Sequence, residues 1–367
     1  MTVTIGLDVL LNQQRDFVAG KRVGLVASPG SVDSQLNSSV ERLHACPDVN
    51  LTTLFGPEHG LRGAAQAGDL LANEIDLLTG LPVYSLHGDT YQPTPEMLRE
   101  VDVLVFDLQD GGVRFYTNLS TLAHVMQAAA ANAVPLIVLD RPNFINGLTV
   151  EGPVLDPAYS SFVGMYPIPI RYGMTVGELA RLFNEVFGIG CDLTVVPLNG
   201  WRRGMWFDQT GLPFVPPSPN LPALSALTVY PGMCLIEGTN LSEGRGTTKP
   251  FEYIGAPWIE AEATARRLNE LDLPGARFRP VYFVPTFSKY QGQLCAGVHL
   301  YVTDREVFRP VETALRLIAH IKALYPDQFG WHAPWAEGSH RPIDLLTGSA
   351  AVRQHFDAGH PVADWIG

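Results

Sequence analysis

Short apolar runs alternate with helix-like stretches along the first half of the chain, and this alternation restricts the fold more than any other feature. The runs end at Gly, Pro or Asp and lack a strict polar and apolar alternation, as expected for strands covered on both faces. They predict strands over residues 22–27, 51–55, 82–86, 102–108, 135–139 and 193–197, with helices over 32–45, 95–100, 117–132 and 175–187. Repeated βαβ units build a mostly parallel sheet, so the sequence predicts an α/β, Rossmann-like domain.

A proline-rich segment marks the boundary between two predicted domains. Residues 211–222 contain five prolines, which neither a helix interior nor a central strand accommodates. We therefore assign residues 1–215 to the Rossmann-like catalytic domain and residues 216–367 to a smaller α+β domain that contributes to the active-site cleft. In the second domain the pattern predicts helices over 261–271 and 310–324 and strands over 281–286 and 296–303.

Composition and charge exclude several classes of function. The chain has 37 acidic and 25 basic residues, a net charge of −12 and no Lys/Arg run, so nucleic acid is not an expected partner. Its four cysteines, at positions 46, 191, 234 and 295, lack zinc-ligand or disulfide spacing and are expected to be reduced and buried. The first residues show no signal-peptide pattern and no run approaches ~20 apolar residues, which predicts a cytoplasmic protein without membrane association. A trimmed N-terminus would leave export open.

Polar side chains cluster directly after three of the predicted strands. In an open parallel sheet, ligands bind beyond the carboxyl ends of the strands, so we predict that these three clusters share one site. The candidates in the clusters, and in the turn that follows the second of them, are Glu58, His59, Asp107, Gln109, Asp110, Arg114, Tyr116, Asp140, Arg141 and Asn143.

Each cluster has a catalytic and a structural interpretation. Glu58 lies in a Gly-bounded turn, where apolar neighbours would let its carboxyl hold a proton near neutral pH and act as a general acid. The structural alternative is a helix cap or an ion pair with Arg62. Residues 107–117 form either a ligand-binding loop or a loop held by a buried Asp–Arg pair, and the segment at Asp140 is either part of the site or a simple turn.

A further polar segment, residues 237–247, lies in the predicted C-terminal domain. It is rich in glycine, but its spacing does not match the phosphate-binding GxxxxGK[ST] loop. Its donors and acceptors suit a polyhydroxylated ligand, and the alternative is a polar connector. Arg171, just before a predicted helix, is either an anion clamp or an ordinary exposed arginine. The candidates within the segment are Glu237, Asn240, Ser242, Glu243 and Arg245.

Several common catalytic motifs are absent from the sequence. It contains no GxSxG elbow, HExxH helix or GxGxxG turn, so neither a serine hydrolase, a zinc protease nor a dinucleotide-binding protein is predicted. We expect no cofactor and no resident metal. A divalent ion held by Asp107, Asp110 and Asp140 is the alternative, which a chelator would test. The interpretation that remains is an enzyme whose carboxyl side chains act as acid and base in a cleft.

These motifs together resemble those of the NamZ/YbbC-like family of bacterial exo-β-N-acetylmuramidases, long a family of unknown function. The resemblance runs from about Gly6 to the C-terminus. The blocks that carry it are Phe55-Gly-Pro-Glu-His-Gly60, Phe106-Asp-Leu-Gln-Asp110, Arg114-Phe-Tyr-Thr117, Leu139-Asp-Arg-Pro-Asn143, Gly173-Met-Thr-Val-Gly-Glu-Leu-Ala180, Pro217-Ser-Pro-Asn220, Glu237 to Thr247 and Phe287-Ser-Lys289.

The resemblance implies a fold, an activity and an essential residue. It implies a Rossmann-like N-terminal domain with a smaller C-terminal domain, and the release of β-1,4-linked N-acetylmuramic acid from the non-reducing end of peptidoglycan fragments. It also implies that Glu58 is essential. Asn220, at the end of the block Pro217-Ser-Pro-Asn220, is a further candidate for substrate binding. Two departures stand out: many relatives carry an export leader, and Phe144 replaces an expected second proline, which leaves catalysis untouched.

The residues fit glycoside cleavage by two carboxyl groups, one protonated and one ionised. Glu58 is the predicted acid, and Asp107, Asp110 and Glu243 are the candidates for its partner. A separation of about 5 Å would favour retention and about 6.5–9.5 Å inversion, while the 2-acetamido group of the substrate is an alternative nucleophile. Muramic acid also carries a lactyl carboxylate, which a bidentate arginine would bind. The arginines considered are Arg114, Arg141, Arg171 and Arg245.

Two competing functions and one structural question stay open. Two domains around a polar cleft are also typical of a non-catalytic binding protein, here one for a carboxylated sugar or muropeptide. A hydrolase or transferase acting on another carboxylated sugar is the second alternative. The expected partner is a small saccharide or muropeptide, and a homodimer is kept open beside a monomer.

Overall fold

The chain folds into two compact units, and the computed structural model describes residues 2–66 and 68–360. Unit 1 consists of Met1–Thr149 and Gly173–Pro222, and unit 2 of Val150–Tyr172 and Ala223–Gly367. The second junction falls at the end of the proline-rich segment. Residues 150–172, which the sequence-based division assigns to the first domain, group with unit 2. Periodicity along a chain cannot show such an excursion, because the contacts that define it are far apart in sequence.

Unit 1 is built on a mostly parallel sheet, as predicted. Its strand order is β3-β4-β2-β1-β5-β6-β7, and every neighbouring pair is parallel except β3 with β4. The central strands β5 and β6 are buried at every position, because helices cover both faces. The strands are β1 (Arg22–Val26), β2 (Asn50–Gly56), β3 (Glu74–Ile75), β4 (Pro82–Ser85), β5 (Val103–Phe106), β6 (Leu136–Leu139) and β7 (Leu193–Val196).

The helices of unit 1 follow the predicted pattern only in part. The structure has α1 (Gly6–Gln13), α2 (Ser39–His44), α3 (Thr117–Ala131) and α4 (Val176–Glu185). A capping box between Thr175 and Glu178 starts α4, which packs on β6 and β7. The predicted helix over 95–100 is wrong, since these residues form turns, and the predicted helix over 32–45 is shortened to α2.

Unit 2 combines a small antiparallel sheet with helices, and in the described part of the chain its strand order is β8-β10-β9. Helix α5 packs against α7, and a Cβ at Gly232 would lie 1.8 Å from the carbonyl oxygen of Pro310, so only glycine permits this approach. The elements are α5 (Leu224–Met233), β8 (Tyr253–Ala256), α6 (Ala261–Asn269), β9 (Ala276–Phe283), β10 (Cys295–Val302), α7 (Pro310–Leu324), α8 (Pro342–Thr347) and α9 (Ala351–Asp357).

Two further predictions concern membrane spans and cysteines. Within residues 2–66 and 68–360, no helix has the length and apolar content needed to cross a lipid bilayer. All four cysteines are free; Cys191, Cys234 and Cys295 are buried, and Cys46 is only half-buried. Burial raises the pKa of the Cys191 and Cys295 thiols to about 11, which disfavours their reactive thiolate form.

Candidate active site

Glu58 sits in a tight turn at the carboxyl end of β2. The turn is closed by the backbone N–H of Gly60, which donates to the carbonyl oxygen of Pro57 at 2.7 Å. A Cβ at Gly56 would lie 2.8 Å from the backbone nitrogen of Leu61, so the chain can double back here only because the residue is glycine. The turn therefore fixes the position of Glu58 at the edge of the sheet where ligands of open α/β folds bind.

Both carboxylate oxygens of Glu58 accept a hydrogen bond. The Thr117 hydroxyl donates to Oε2 at 2.5 Å, and the backbone N–H of Gly68 donates to Oε1 at 2.9 Å. The side chain is half-buried. Arg62, the partner in the structural alternative, instead donates to Asp76. Glu58 is thus oriented by neutral donors and is still open to a ligand.

A cavity of about 250 Å³ lies beside this turn, within unit 1. His59 lines it, and the His59 Nδ1 atom lies 3.1 Å from the carbonyl oxygen of Ala65. The volume is near the lower end of small-molecule sites, which suits a single sugar ring better than a long oligosaccharide. The lining residues are Ser28, Pro29, Pro57, His59, Arg62, Gly63, Asn118 and residues 215–219.

Asp107 forms a buried ion pair with Arg141. The guanidinium donates from Nε to Oδ1 at 2.7 Å and from Nη2 to Oδ2 at 2.8 Å, and both side chains are almost wholly excluded from solvent. Arg141 also donates to the carbonyl oxygen of Val32 at 3.1 Å. Because both Asp107 oxygens are held, this geometry favours the structural interpretation of the pair, which ties the end of β5 to the segment after β6.

Asp110 and Tyr116 form a second buried pair of titratable groups close to Glu58. Burial raises the pKa of Asp110 to about 7, although the backbone N–H of Gly112 donates to its Oδ2 atom at 2.8 Å. Burial also raises the pKa of Tyr116 well above its usual range, and the negative charges of Asp110 and Glu58 add to this effect. Tyr116 is therefore within electrostatic reach of both carboxyl groups, and its hydroxyl donates to the carbonyl oxygen of Pro217 at 2.7 Å.

The raised pKa of Asp110 predicts a stability that depends on pH. Folding raises this pKa from about 4 to about 7, so the stability that the group contributes is full below about pH 4 and is lost as the pH rises to about 7. Asp110→Asn cannot ionise. The free energy of unfolding of this variant minus that of wild type is expected to rise by about 1–3 kcal/mol between pH 5 and pH 8. Urea unfolding at both pH values measures this, and a constant difference would contradict it.

Asp140 and Asn143, the predicted residues after β6, mainly tie backbone segments of unit 1 together. Asp140 accepts from the backbone N–H of Gly177 at 2.8 Å and from the Thr175 hydroxyl at 2.9 Å, which anchors the start of α4. Burial raises the pKa of Asp140 to about 6. Asn143 donates to the carbonyl oxygen of Met174 at 2.9 Å, which ties the same two segments together.

Three more predicted residues of unit 1 are buried in polar contacts. Gln109 donates to the carbonyl oxygen of Pro142 at 2.8 Å, and the Asn220 amide donates to the side chain of Gln66 at 3.2 Å. Arg114 is buried, and this burial lowers its pKa to about 10. All three lie inside unit 1 and contribute to its interior more than to an open surface.

The glycine-rich segment 237–247 belongs to unit 2, where ion pairs hold its charged side chains. Glu243 is buried, with its Oε2 atom 3.1 Å from Lys289 Nζ and its Oε1 atom 3.6 Å from Arg245 Nε. Arg245 also donates to Glu237 at 2.6 Å. Lys289 donates in addition to the backbone carbonyl oxygens of residues 236, 237 and 241, so it fixes the path of the segment.

The other predicted residues of unit 2 support its backbone. The Asn240 side chain donates to the carbonyl oxygen of Gln328 at 2.7 Å and accepts from the N–H of Gly330 at 3.0 Å, while the Ser242 hydroxyl accepts from the N–H of Gly244. Arg171 is buried, and burial lowers its pKa to about 10 although the charge of Glu151 opposes this. Arg171 is therefore not the exposed arginine of the structural alternative.

Two residues with direct contacts to predicted carboxylates were not singled out from the sequence. Thr117 holds Glu58 and Lys289 holds Glu243, and each stands inside one of the motif blocks quoted above. Their position inside these motif blocks is the sequence feature that could have identified them. In the described ranges, no group of three or more His, Cys, Asp or Glu residues is arranged to hold a metal ion.

The contact between Thr117 and Glu58 predicts a kinetic effect. Thr117→Val keeps the shape of the side chain but removes the hydroxyl, so we expect kcat to fall about 10- to 100-fold with little change in KM, because a hydrogen bond to a charged group is lost. Thr117→Ser keeps the donor and should retain most of the activity. Initial rates of the two variants measure this, and equal losses in both would contradict the role of the hydroxyl.

Comparison with known proteins places this geometry in a family. The family model "Exo-beta-N-acetylmuramidase NamZ, N-terminal" matches residues 23–225, and "Exo-beta-N-acetylmuramidase NamZ, C-terminal" matches residues 228–366. The peptidoglycan beta-N-acetylmuramidase NamZ of Bacillus subtilis (strain 168) is 53% identical over 364 residues, which cover 99% of this chain and 86% of that protein.

Two solved structures share the fold. Both are DUF1343 family proteins from Bacteroides fragilis NCTC 9343. One has a TM-score of 0.90 and 40% identity, covering 99% of this chain and 93% of that chain. The other has a TM-score of 0.75 and 28% identity, covering 100% of this chain and 94% of that chain. By sequence match over nearly its whole length, the chain belongs to the exo-beta-N-acetylmuramidase NamZ family.

Proposed function

We propose that this protein is an exo-acting glycosidase that releases β-1,4-linked N-acetylmuramic acid from the non-reducing end of peptidoglycan fragments. The observation that carries the proposal is Glu58: an accessible carboxyl beside a cavity the size of one sugar, with a fixed donor on each oxygen. The Bacillus subtilis relative, named for peptidoglycan beta-N-acetylmuramidase activity, supports the same chemistry.

In the proposed mechanism Glu58 gives its proton to the glycosidic oxygen as the bond to the leaving sugar breaks. Water then adds its hydroxyl to the anomeric carbon, and the proton released from that water restores the acid. Within unit 1, Asp110 is favoured over Asp107 as a second carboxyl group, because Arg141 occupies both oxygens of Asp107. Asp110 is itself buried, so it would not contact the sugar. Its negative charge would act only through space, as it does on the Tyr116 hydroxyl. The acetamido group of the substrate is the remaining candidate for the group that stabilises the anomeric carbon. Glu243 belongs to unit 2 and, like Asp107, has both oxygens held by cations, Lys289 and Arg245.

Arg62 is the arginine that this cavity offers to the lactyl carboxylate. Among the four arginines considered from the sequence, Arg141 and Arg245 are held in ion pairs, and Arg114 and Arg171 are buried. Arg62 lines the cavity and is half exposed, and its guanidinium has donors left beyond its contact with Asp76. We therefore add Arg62 to the arginines that could select muramic acid over N-acetylglucosamine.

Replacing Arg62 should reduce selectivity more than turnover. We expect Arg62→Gln to lower the preference for muramic acid over N-acetylglucosamine glycosides about tenfold, since a charge-assisted hydrogen bond to the lactyl group is lost. The ratio of kcat/KM for the two glycosides measures this. Arg99→Gln, which removes an exposed arginine elsewhere in unit 1, is the matched control. An unchanged ratio in Arg62→Gln would return the choice to the original four arginines.

The proposal is tested with the full chain and two chromogenic substrates that share one leaving group. We expect release from the N-acetylmuramic acid β-glycoside and little from the N-acetylglucosamine β-glycoside. With disaccharide fragments, only those with muramic acid at the non-reducing end should be cleaved. Binding of muropeptides without cleavage would favour the non-catalytic alternative, and faster cleavage of another carboxylated sugar would favour the second.

A further inference from the structure

Asn118 is a polar residue in the wall of the active-site cavity that the proposed mechanism does not use. It is the second residue of α3 and follows Thr117, whose hydroxyl donates to Glu58 Oε2 at 2.5 Å. Asn118 lines the cavity, although the residue is only 7% exposed. Its side chain is therefore a buried polar group of unit 1 that lies close to the proposed acid.

A hydrogen bond to the backbone fixes the orientation of the Asn118 amide. Its Nδ2 atom donates to the carbonyl oxygen of Gln109 at 2.9 Å. If the amide were turned over, Oδ1 would lie against that carbonyl oxygen, and two acceptors without a hydrogen between them repel each other. The amide nitrogen therefore faces the segment after β5, and Oδ1 lies on the other side of the amide.

The Oδ1 atom of Asn118 is an acceptor without a protein donor. Within residues 2–66 and 68–360, no group donates a hydrogen bond to it. Unlike the partnerless polar atoms that are sealed from solvent in this structure, it keeps accessible surface, on a residue that lines the cavity. An amide oxygen can only accept, so a ligand that fills the cavity must bring an N–H or O–H group to this point or lose binding free energy.

The chemistry around the reacting bond indicates which donor of the sugar lies there. Glu58 acts on the glycosidic oxygen, which is bonded to the anomeric carbon. In the ring that carbon is joined to an oxygen, which has no hydrogen, and to the carbon that carries the 2-acetamido group. The acetamido N–H is thus the donor of the terminal sugar that lies nearest to the acid. Asn118 directly follows the residue that holds the acid, so its Oδ1 atom is placed to meet this N–H.

We propose that Asn118 is a specificity residue that recognises the 2-acetamido group, by accepting a hydrogen bond from its N–H at Oδ1. The inference rests on the proposed function, which supplies an N-acetylated amino sugar as the substrate class. Asn118 then has a different task from Arg62, because N-acetylmuramic acid and N-acetylglucosamine both carry the acetamido group. It disfavours sugars that lack a donor at this position, and it does so whichever group stabilises the anomeric carbon.

The test compares the acetamido group with its ester isostere, in which an oxygen replaces the N–H. Nitrophenyl β-glycosides of N-acetylmuramic acid and of its 2-O-acetyl analogue are used with the full chain. In Asn118→Leu the ratio of kcat/KM for the two glycosides should fall about tenfold relative to wild type, because the hydrogen bond from the N–H is lost. The intrinsic difference between amide and ester cancels in this cycle. Asn132→Leu is the matched control, since Asn132 ends α3 and donates to the carbonyl oxygen of Ala128 at 2.8 Å; its ratio should equal that of wild type.

A ratio unchanged in Asn118→Leu would overturn the inference, because a residue that only supports α3 lowers both rates equally. Asn118→Ala, which removes the amide and adds no bulk, repeats the measurement if Asn118→Leu does not fold. Failure of the proposed function is seen separately, as hydrolysis of neither glycoside by wild type. Binding then decides the inference: the methyl β-glycosides of both sugars are titrated into Glu58→Gln with and without Asn118→Leu. A Kd ratio that changes about tenfold supports it, whereas equal ratios, or no binding of the acetamido sugar, overturn it.

Discussion

Glu58→Gln is expected to lower kcat/KM for a muramic acid glycoside by roughly a thousandfold, the range of a lost general acid. The amide keeps the size of the side chain and can still accept from the Thr117 hydroxyl, so the turn after β2 should stay folded. What is lost is the proton for the leaving oxygen. Initial rates measure the effect, and the free energy of unfolding in urea shows whether the fold is retained.

The nature of the leaving group separates an acid from a nucleophile. A dinitrophenyl glycoside needs no protonation to depart, so Glu58→Gln should lose far less activity on it than on a disaccharide. Equal losses on the two substrates would mean that Glu58 acts on the anomeric carbon and not on the leaving oxygen. Glu96→Gln is the matched control, because that carboxyl is 78% exposed and pairs with Arg99, which is itself 70% exposed.

Arg141→Met is expected to lower the free energy of unfolding by about 3–5 kcal/mol, because it leaves the carboxylate of Asp107 buried without its partner. The methionine fills much of the same volume, so the loss reflects charge more than packing. Urea or guanidinium unfolding measures it. A loss below about 1 kcal/mol would show that the pair behaves like an exposed ion pair.

The double variant Asp107→Leu with Arg141→Met completes the thermodynamic cycle. Replacing both partners removes the unpaired charge, so the double variant should be more stable than Arg141→Met alone. The same series tests the catalytic interpretation of Asp107. If the double variant is folded and active, Asp107 is structural; if it is folded and inactive, Asp107 returns as a candidate partner for Glu58.

The strands of unit 1 could be predicted because a strand covered on both faces is a short run of apolar residues. Each of the six predicted runs overlaps a strand of the sheet, with ends that differ by at most two residues. Helix α5 gives no such signal, since it is apolar on almost every face and contains Pro231, which predicts a break. At residues 95–100 the error is the opposite one, because a helix is predicted where the structure has turns. The segment has a favourable helix start but too few residues to continue as a helix.

The candidate site could be predicted only as far as strand ends can be located. The rule for open sheets correctly places Glu58, Asp107 and Asp140 after β2, β5 and β6. The rule does not predict which side chains form hydrogen bonds or ion pairs with each other. Arg141 turns to Asp107, and Thr117 to Glu58, through contacts between residues 34 and 59 positions apart, and such pairs depend on packing that no local pattern records.

Residues 150–172 have a consequence for how the polypeptide matures on the ribosome. This stretch leaves unit 1 and is secured by residues made much later: the Glu151 carboxylate accepts from the N–H of Glu312, and the N–H of Asp156 donates to the carbonyl oxygen of Gly348. The nascent stretch must therefore wait while about 160 to 190 further residues are translated before it finds its partners. A gene fragment that begins at codon 223 would encode unit 2 without it.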